Sequence, residues 1–428
     1  MIDLAAAAAR VERALPVGII SQHEDIDTVR EQIEELSELL SNLNIVSLEP
    51  EFAKLRGARV RYRIGDGRAE EIAQLAQECE ADLIVIDSEL TPSQQRNWER
   101  LAKCPVISRE EVILEIFAAR AQTREAVLQV ELARAQYELP RLTGAWTHLS
   151  RQRGGGATNR GQGEAQIETD RRLLKHKIQT LTEELELVRK QRSTRRKARQ
   201  RRPVPQGAIV GYTNVGKSSL LNALSGSDVL VKNQLFATLD PVARRLVLPG
   251  NMELVLTDTV GFVRKLPHAL VEAFKSTLEE AVLADFLLLV LDVSSSRLDA
   301  EWETTLGVLK ELGADEKKIQ IIFNKMDKID PVADAVTLAR LHGLFPDALY
   351  ISTVTGEGLD LLKAKLPELI AGNRKVMHLQ LPPFRSDLAA LAHAIGEVYE
   401  EEYAPDGVLD IVVAVEEKHF HKFADYQK

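Results

Sequence analysis

Cysteine is scarce in this sequence: only Cys79 and Cys104 occur among 428 residues. Two thiols make no disulfide framework, which points to a reducing compartment, the cytoplasm. Long apolar runs are missing too. The longest, near Phe286 to Val293, is broken by Asp292 and falls well short of the roughly 20 residues a membrane-spanning helix needs. The alanine run Ala5 to Ala9 passes into Arg10, Glu12 and Arg13, without the larger apolar stretch and cleavage site of a secretory leader. Aromatic residues make up 5% of a chain that is 45% hydrophobic, a balance of globular domains rather than of a disordered chain. A net charge of −9 excludes a uniformly basic nucleic-acid coat protein, but the cations are unevenly spread.

The length suits two to four domains. The first part alternates short apolar runs with helical stretches: strand Leu15 to Ile20, helix Ile26 to Leu40, strand Asn44 to Leu48, strand Arg59 to Ile64, helix Ala69 to Gln77 and strand Leu83 to Ile86. That order predicts an α/β domain with a largely parallel sheet. From Glu111 the pattern becomes one long helix, with Phe117, Ala121, Leu128, Leu132, Ala135 and Leu139 on one face, interrupted by Arg124. Leu174, Ile178, Leu181, Leu185 and Val188 mark a second helix. Between them, Arg151 to Gly163 is too rich in glycine for a helix to persist comfortably. The spacing predicts an antiparallel helical hairpin with a glycine-rich tip. Its second arm ends in nine Lys or Arg and no acid from Arg189 to Arg202, before Pro203 and Pro205 open a new domain. The tail reads strand Met377 to Leu381, helix Ser386 to Tyr403, a turn at Pro405-Asp406-Gly407 and strand Val408 to Val415, a small α+β domain. The expected domains are 1–110, 111–202, 203–373 and 374–428.

The third of these carries the chemistry. The apolar strand Ala208-Ile209-Val210 runs into Gly211-Tyr212-Thr213-Asn214-Val215-Gly216-Lys217-Ser218, and a helix follows from Ser219 to Leu224. This is a complete G-x-x-x-x-G-K-S loop. Glycines let successive backbone N–H groups point at an anion, and the helix adds its N-terminal dipole. Lys217 should reach the β- and γ-phosphates, and the Ser218 hydroxyl should ligate Mg²⁺. Downstream, the strand from Leu254 ends in Asp258-Thr259-Val260-Gly261. Its carboxylate can hold Mg²⁺ through water and the Gly261 N–H can bond the γ-phosphate. Ile319 to Phe323 delivers Asn324-Lys325-Met326-Asp327, whose aspartate can accept both N1–H and N2–H₂ of guanine, a donor pair that adenine lacks. Leu349 to Ser352 brings Ser352 and Thr353 beside the base. Between loop and Asp258 lies Phe236-Ala237-Thr238, where a threonine commonly completes the Mg²⁺ shell. Lys217, Thr238 and Gly261 are therefore the candidate catalytic groups, and Ser218 and Thr238 the candidate metal ligands. Phe262 stands where a water-orienting glutamine is found in Ras-like enzymes, which predicts slow intrinsic hydrolysis.

Together GYTNVGKS, LFATLDP, DTVGF and NKMD resemble the HflX family of P-loop GTPases, in the Obg–HflX group of translation-factor-related GTPases. The resemblance continues in SELTPSQQRNWE (Ser88 to Glu99), in Ile113 to Leu142 and in RGQGEAQIETDRR (Arg160 to Arg172), and is weak over the first and last fifty residues. The chain departs from the family pattern in three places. The tip is one residue longer and has Gln162 in place of a proline, Ile107-Ser108-Arg109-Glu110 replaces an Asp-Arg-Thr run, and Ile64-Gly65-Asp66-Gly67-Arg68 replaces a lysine-bearing loop. The last is read as a tight structural turn in preference to a second nucleotide site.

What the resemblance implies is a GTP hydrolase, with Mg²⁺ as cofactor, that binds the large (50S) ribosomal subunit and helps to split or rescue stalled ribosomes. Its partners would be GTP and GDP, the 50S subunit and ribosomal RNA. It would act as a monomer without stable membrane insertion, cytoplasmic and partly peripheral to ribosomes or membrane. The resemblance gives the hairpin tip the role of probing ribosomal RNA, through Arg151, Arg153, Gly154, Gly155, Gly156, Arg160, Gly161 and Gly163. Cations bind phosphate backbones and glycine permits close approach, so the basic run joins the same edge. Few aromatics stand nearby, which favours folded RNA backbone over stacked single strands. His419 and His421 lack the companions of a metal site, and Trp98 and Trp302 read as packing residues. Two alternatives stay open: a nucleotide-gated ribosome-binding scaffold with little turnover, and an ATP-dependent RNA remodeller that uses the N-terminal domain.

Overall fold

A computed structural model describes residues 11–22, 24–57, 60–142, 158–199, 204–226, 236, 241–248, 252–264, 280–314, 317–371, 374–404 and 407–427. Three sheets organise the chain. In the first, β1 (Arg13–Ile20) pairs with β4 (Leu83–Ile86), which pairs with β5 (Val106–Ser108). The other edge of β1 is shared by β2 (Val46–Ser47) along its first residues and β3 (Glu51–Lys54) along its last, and every pairing is parallel. Helices α1 (Ile26–Asn42), α2 (Asp66–Glu78) and α3 (Pro92–Ala102) connect these strands. Apolar residues line both faces of β1 and β4, as a parallel sheet covered on both sides requires.

Two expectations fail here. The strand proposed for Arg59 to Ile64 is a turn in its described part, because Arg63 sits at φ 69°, outside the extended region. The sheet recruits Glu51–Lys54 instead, which had no strand assigned. Gly65 caps α2, and Arg68 is engaged within this unit by the Phe52 carbonyl, Glu71 and Glu51. Trp98 is fully buried and donates to the Tyr62 carbonyl at 3.1 Å.

The long helix expected from Glu111 is split into α4 (Arg109–Arg120) and α5 (Arg124–Glu138), because Thr123 caps α5 by accepting the Ala126 N–H at 3.2 Å. Helix α6 (Thr158–Arg199) runs for 42 residues. Contrary to the glycine argument it includes Arg160, Gly161 and Gly163, since extending a nucleated helix adds a hydrogen bond for each residue fixed. Leu128 and Leu132 of α5 bury against Leu181 and Leu185 of α6. Arg124 pairs with Glu184 at 3.2 Å and Glu131 with Lys177 at 3.1 Å. The partners advance along one helix as they retreat along the other, which makes the two antiparallel.

The central sheet has the order β11-β10-β9-β6-β8-β7. Its strands are β6 (Gln206–Gly211), β7 (Val242–Leu248), β8 (Met252–Asp258), β9 (Phe286–Asp292), β10 (Lys318–Asn324) and β11 (Leu349–Tyr350). All pairs are parallel except that of β7 with β8. Strand β7, also unassigned from sequence, is an edge strand with Arg244 and Arg245 along it, charges that discourage edge-to-edge pairing. Helices α7 (Lys217–Ser225), α8 (Leu298–Glu311), α9 (Ala335–Leu344) and α10 (Leu359–Ala371) complete this unit, and Trp302 packs edge-on against Phe345.

The third sheet is antiparallel, with β14 (Leu409–Glu416) between β12 (Arg374–Leu381) and β13 (Glu397–Tyr403), backed by α11 (Ser386–Ile395). The helix expected to reach Tyr403 ends at Gly396, and Glu397–Tyr403 becomes a strand because pairing with β14 satisfies its backbone. Among the described residues no helix is long and apolar enough to cross a membrane, and no group of three or more His, Cys, Asp or Glu gathers to hold a metal.

Candidate nucleotide site

The carboxyl ends of β8, β6, β9 and β10 follow one another along one edge of the sheet, the position where open parallel sheets place their ligands. From β6 the chain enters the 211–218 loop with Gly211 at φ 148° and Gly216 at φ 95°. A Cβ at Gly211 would stand 2.2 Å from the Val290 carbonyl oxygen, and one at Gly216 would stand 2.3 Å from the Asn324 amide nitrogen. Both positions therefore demand glycine. Asn214 also takes a left-handed conformation, φ 62°.

Lys217 is buried and donates to the carbonyls of Tyr212 at 2.7 Å and Gly211 at 3.2 Å. Burial lowers its ammonium to about 8, against the pull of Asp258. The Ser218 hydroxyl donates to the Asp258 carboxylate at 2.6 Å. A hydroxyl and a carboxylate at one point supply the hard oxygen donors that fit Mg²⁺, which takes few protein ligands and keeps phosphate and water oxygens for the rest. Thr259 is fixed by donating to the Ile209 carbonyl at 2.7 Å. A Cβ at Gly261 would stand 2.8 Å from the Lys217 Nζ, so the lysine and this glycine lie against each other. Phe262 holds the segment down: its N–H donates to the Gly211 carbonyl at 3.1 Å and its carbonyl accepts from Thr213 at 2.8 Å. Its ring is 2% exposed and turned into the core.

The base-side motifs form one lattice. Asn324 donates to the Val215 carbonyl at 2.8 Å and accepts from the Thr353 N–H at 3.1 Å, tying the end of β10 to the phosphate loop. Ser352, fully buried, donates to Asp327 at 2.5 Å and accepts from the N–H groups of Val354 and Thr355, which fixes one carboxylate oxygen of an otherwise exposed side chain. Lys325, at φ 69°, pairs with Asp292 at 2.7 Å, while Met326 donates its N–H to the Ile351 carbonyl at 3.2 Å.

Of the sequence-derived site residues, the structure thus gathers Gly211 to Ser218 with Ser219 on α7, Asp258 to Gly261, Asn324 to Asp327, and Ser352 with Thr353. Phe236 is buried with its ring 4.6 Å from that of Phe117, centroid to centroid, so its side chain is taken up by packing. Ala237 and Thr238 lie outside the described residues, as do Arg151, Arg153, Gly154, Gly155 and Gly156. Arg160, Gly161 and Gly163 stand near the start of α6. Sequence reasoning missed Asp292, although its place at the end of an apolar strand neighbouring β10 was a usable signal. It also missed Glu35, which touches the loop through Tyr212, and Arg109, which holds Glu35, since both contacts depend on distant chain segments meeting.

A phosphate loop, a strand-end aspartate beside its serine and a guanine-type Asn-Lys-x-Asp lattice on one parallel sheet define a P-loop GTPase. Comparison with known proteins agrees. Residues 206–325 match the 50S ribosome-binding GTPase family, residues 30–118 the GTP-binding GTPase N-terminal family and residues 120–199 the GTP-binding GTPase middle region. GTPase HflX of Akkermansia muciniphila is 47% identical over 409 residues, 93% of each chain. GTPase HflX of Caldanaerobacter subterraneus subsp. tengcongensis is 41% identical, over 93% of this chain and 90% of its own, and that of Escherichia coli 39%, over 90% of each. A GTP-binding protein of Sulfolobus solfataricus, solved with GDP, is 27% identical over 84% of this chain and 99% of its own, with a TM-score of 0.42. The chain belongs to the HflX family of GTPases, and it is a guanine-nucleotide-binding GTP hydrolase.

Proposed function

We propose that this GTPase binds the large ribosomal subunit through its helical hairpin and couples GTP binding and hydrolysis to ribosome splitting or rescue. The observation that carries this reading is the length of α6: at 42 residues against the 15 of α5, it extends past its partner. At a rise of about 1.5 Å per residue it spans roughly 63 Å. One end begins in the glycine–arginine segment and the other carries the basic run into the GTPase domain, so both extensions have the composition of an RNA-facing edge. The description of the family matched by residues 206–325 supports the 50S subunit as the partner.

In this reading Lys217 neutralises the β- and γ-phosphates and Asp327 reads guanine, with Ser352 and Thr353 beside the base. Ser218 and Thr238 would hold Mg²⁺, with Asp258 beside Ser218, and the ion would supply positive charge to offset that developing on the phosphates. Gly261 offers a backbone N–H to the γ-phosphate. Phe262, with its ring in the core, orients no water, so turnover is slow until the ribosome completes the site. Arg151, Arg153, Arg160, the glycines around them and the run from Arg189 to Arg202 contact ribosomal RNA, placing the protein in the cytoplasm on ribosomes.

The test is steady-state GTP hydrolysis by the full-length protein, with and without purified 50S subunits, across a salt series. A large stimulation that fades with salt is the expected result. Tight GTP binding without any stimulation would favour the scaffold reading, in which nucleotide gates docking and turnover is incidental.

A further inference from the structure

Tyr212, the second residue of the phosphate loop, is 4% exposed, and its hydroxyl has partners on both sides. It accepts the backbone N–H of Arg264 at 2.7 Å, three residues beyond Gly261. It donates to the carboxylate of Glu35 on α1, in the N-terminal sheet unit. The second oxygen of Glu35 receives Arg109 at 3.0 Å, and Arg109 also donates to Asp87 at 2.5 Å and to the Gln32 carbonyl at 2.5 Å. Glu35, Asp87 and Arg109 are each 2% exposed. One phenol thus joins the phosphate loop, the segment after Gly261 and a closed charge cluster at the carboxyl edge of another sheet. A second bridge runs parallel to it, from Phe117 of α4 to Phe236.

A phenol hydroxyl has one proton to give, and here Glu35 takes it, which leaves a lone pair for Arg264. Burial and the adjacent carboxylate push the Tyr212 phenol up, so it stays protonated and keeps this polarity. The Glu35 carboxylate is kept from shifting because Arg109, itself held by Asp87, fixes its other oxygen in a water-excluded setting.

We infer that Tyr212 is a positioning residue for GTP hydrolysis: its hydroxyl fixes the backbone from Gly261 to Arg264 against the N-terminal charge cluster. This rests on reading Gly261 as the γ-phosphate contact. With the Phe262 ring in the core, Gly261 meets a ligand through its backbone, and Tyr212 anchors the far end of that segment while Phe262 bonds to Gly211 and Thr213 within it. Displacing a reacting constellation by even part of an ångström slows chemistry more than it weakens binding.

The test is single-turnover GTP hydrolysis by the full-length protein without ribosomal subunits, which separates it from the ribosomal reading above. Tyr212→Phe removes one oxygen and keeps the ring. It should slow hydrolysis roughly tenfold while GDP affinity and melting temperature change little. Glu35→Leu, which leaves the phenol no acceptor, should act in the same direction, and the double variant should be no slower than Tyr212→Phe alone, because both break one chain of contacts. A rate within about twofold of wild type, a faster rate, an equal loss of GDP affinity or additive losses in the double variant would each overturn the assignment. Should Tyr212→Phe not fold, Glu35→Leu decides alone: slower hydrolysis supports the positioning role and an unchanged rate refutes it.

Discussion

The N-terminal and central sheets of this GTPase are built alike, with parallel strands that end in polar residues, yet the two carboxyl edges are finished differently. In the central sheet Lys217, Asp258, Asn324 and Asp327 line an edge where each side chain is held by one or two neighbours and keeps capacity toward a ligand. In the N-terminal sheet Asp87 follows β4, Arg109 follows β5, and with Glu35 they close on one another under the phosphate loop. Parallel sheets concentrate polar groups at this edge whatever their use. Whether the edge becomes a ligand site or a joint between units depends on what covers it. Here the open edge is the one proposed to bind nucleotide, and the closed one meets it through Tyr212.

The sharpest way to break this contrast is to remove a charge from each edge. Lys217→Ala should reduce kcat/KM for GTP by at least ~100-fold, since the lysine is the cation nearest the phosphate loop, while the fold survives. Hydrolysis rates beside a thermal melt check this. A variant that retains most activity would show that the open edge is not the catalytic one. Arg109→Ala should do the reverse. It strands two buried carboxylates, so a loss of about 3–5 kcal/mol in urea unfolding is expected, with nucleotide affinity affected far less. A cost below ~1 kcal/mol would mean that the closed edge is only loosely packed.

The two edges also differed in how plainly they stood in the sequence. Gly211 to Ser218, Asp258 to Gly261 and Asn324 to Asp327 are each contiguous, so their chemistry is written in local spacing. The cluster of Glu35, Asp87 and Arg109 draws on three separated segments, each ordinary alone, and only the tertiary fold joins them. Periodicity failed in the same places where tertiary pairing decides. Glu397–Tyr403 is rich in glutamate, a helix former, yet becomes a strand beside β14. Gly161 and Gly163 entered a helix that their own propensity opposes, at a cost of about 1 kcal/mol each.

Glu111 offers the finest probe of the closed edge, because its hydrogen bonds and its charge can be separated. Its Oε1 accepts from the Tyr137 hydroxyl at 2.8 Å, from Gln95 at 3.1 Å and from the Ser108 N–H at 3.3 Å. Burial pushes its carboxyl above the usual value of 4.5, and the Tyr137 hydrogen bond works in the opposite direction. A carboxyl raised on folding binds its proton more tightly in the native state. Its contribution to stability is therefore full below about 4.5 and is lost as pH rises through the folded value. Glu111→Gln keeps the Oε1 acceptor and removes the buried charge. The variant should be more stable than wild type at pH 7, by under ~1 kcal/mol, with the gap closing as pH falls toward 4.5. Urea unfolding at several pH values measures it. A variant less stable than wild type at pH 7 would mean that the charge strengthens its three hydrogen bonds by more than burial costs it. The closed edge would then be held by ionised groups throughout, at Glu111 as at Arg109.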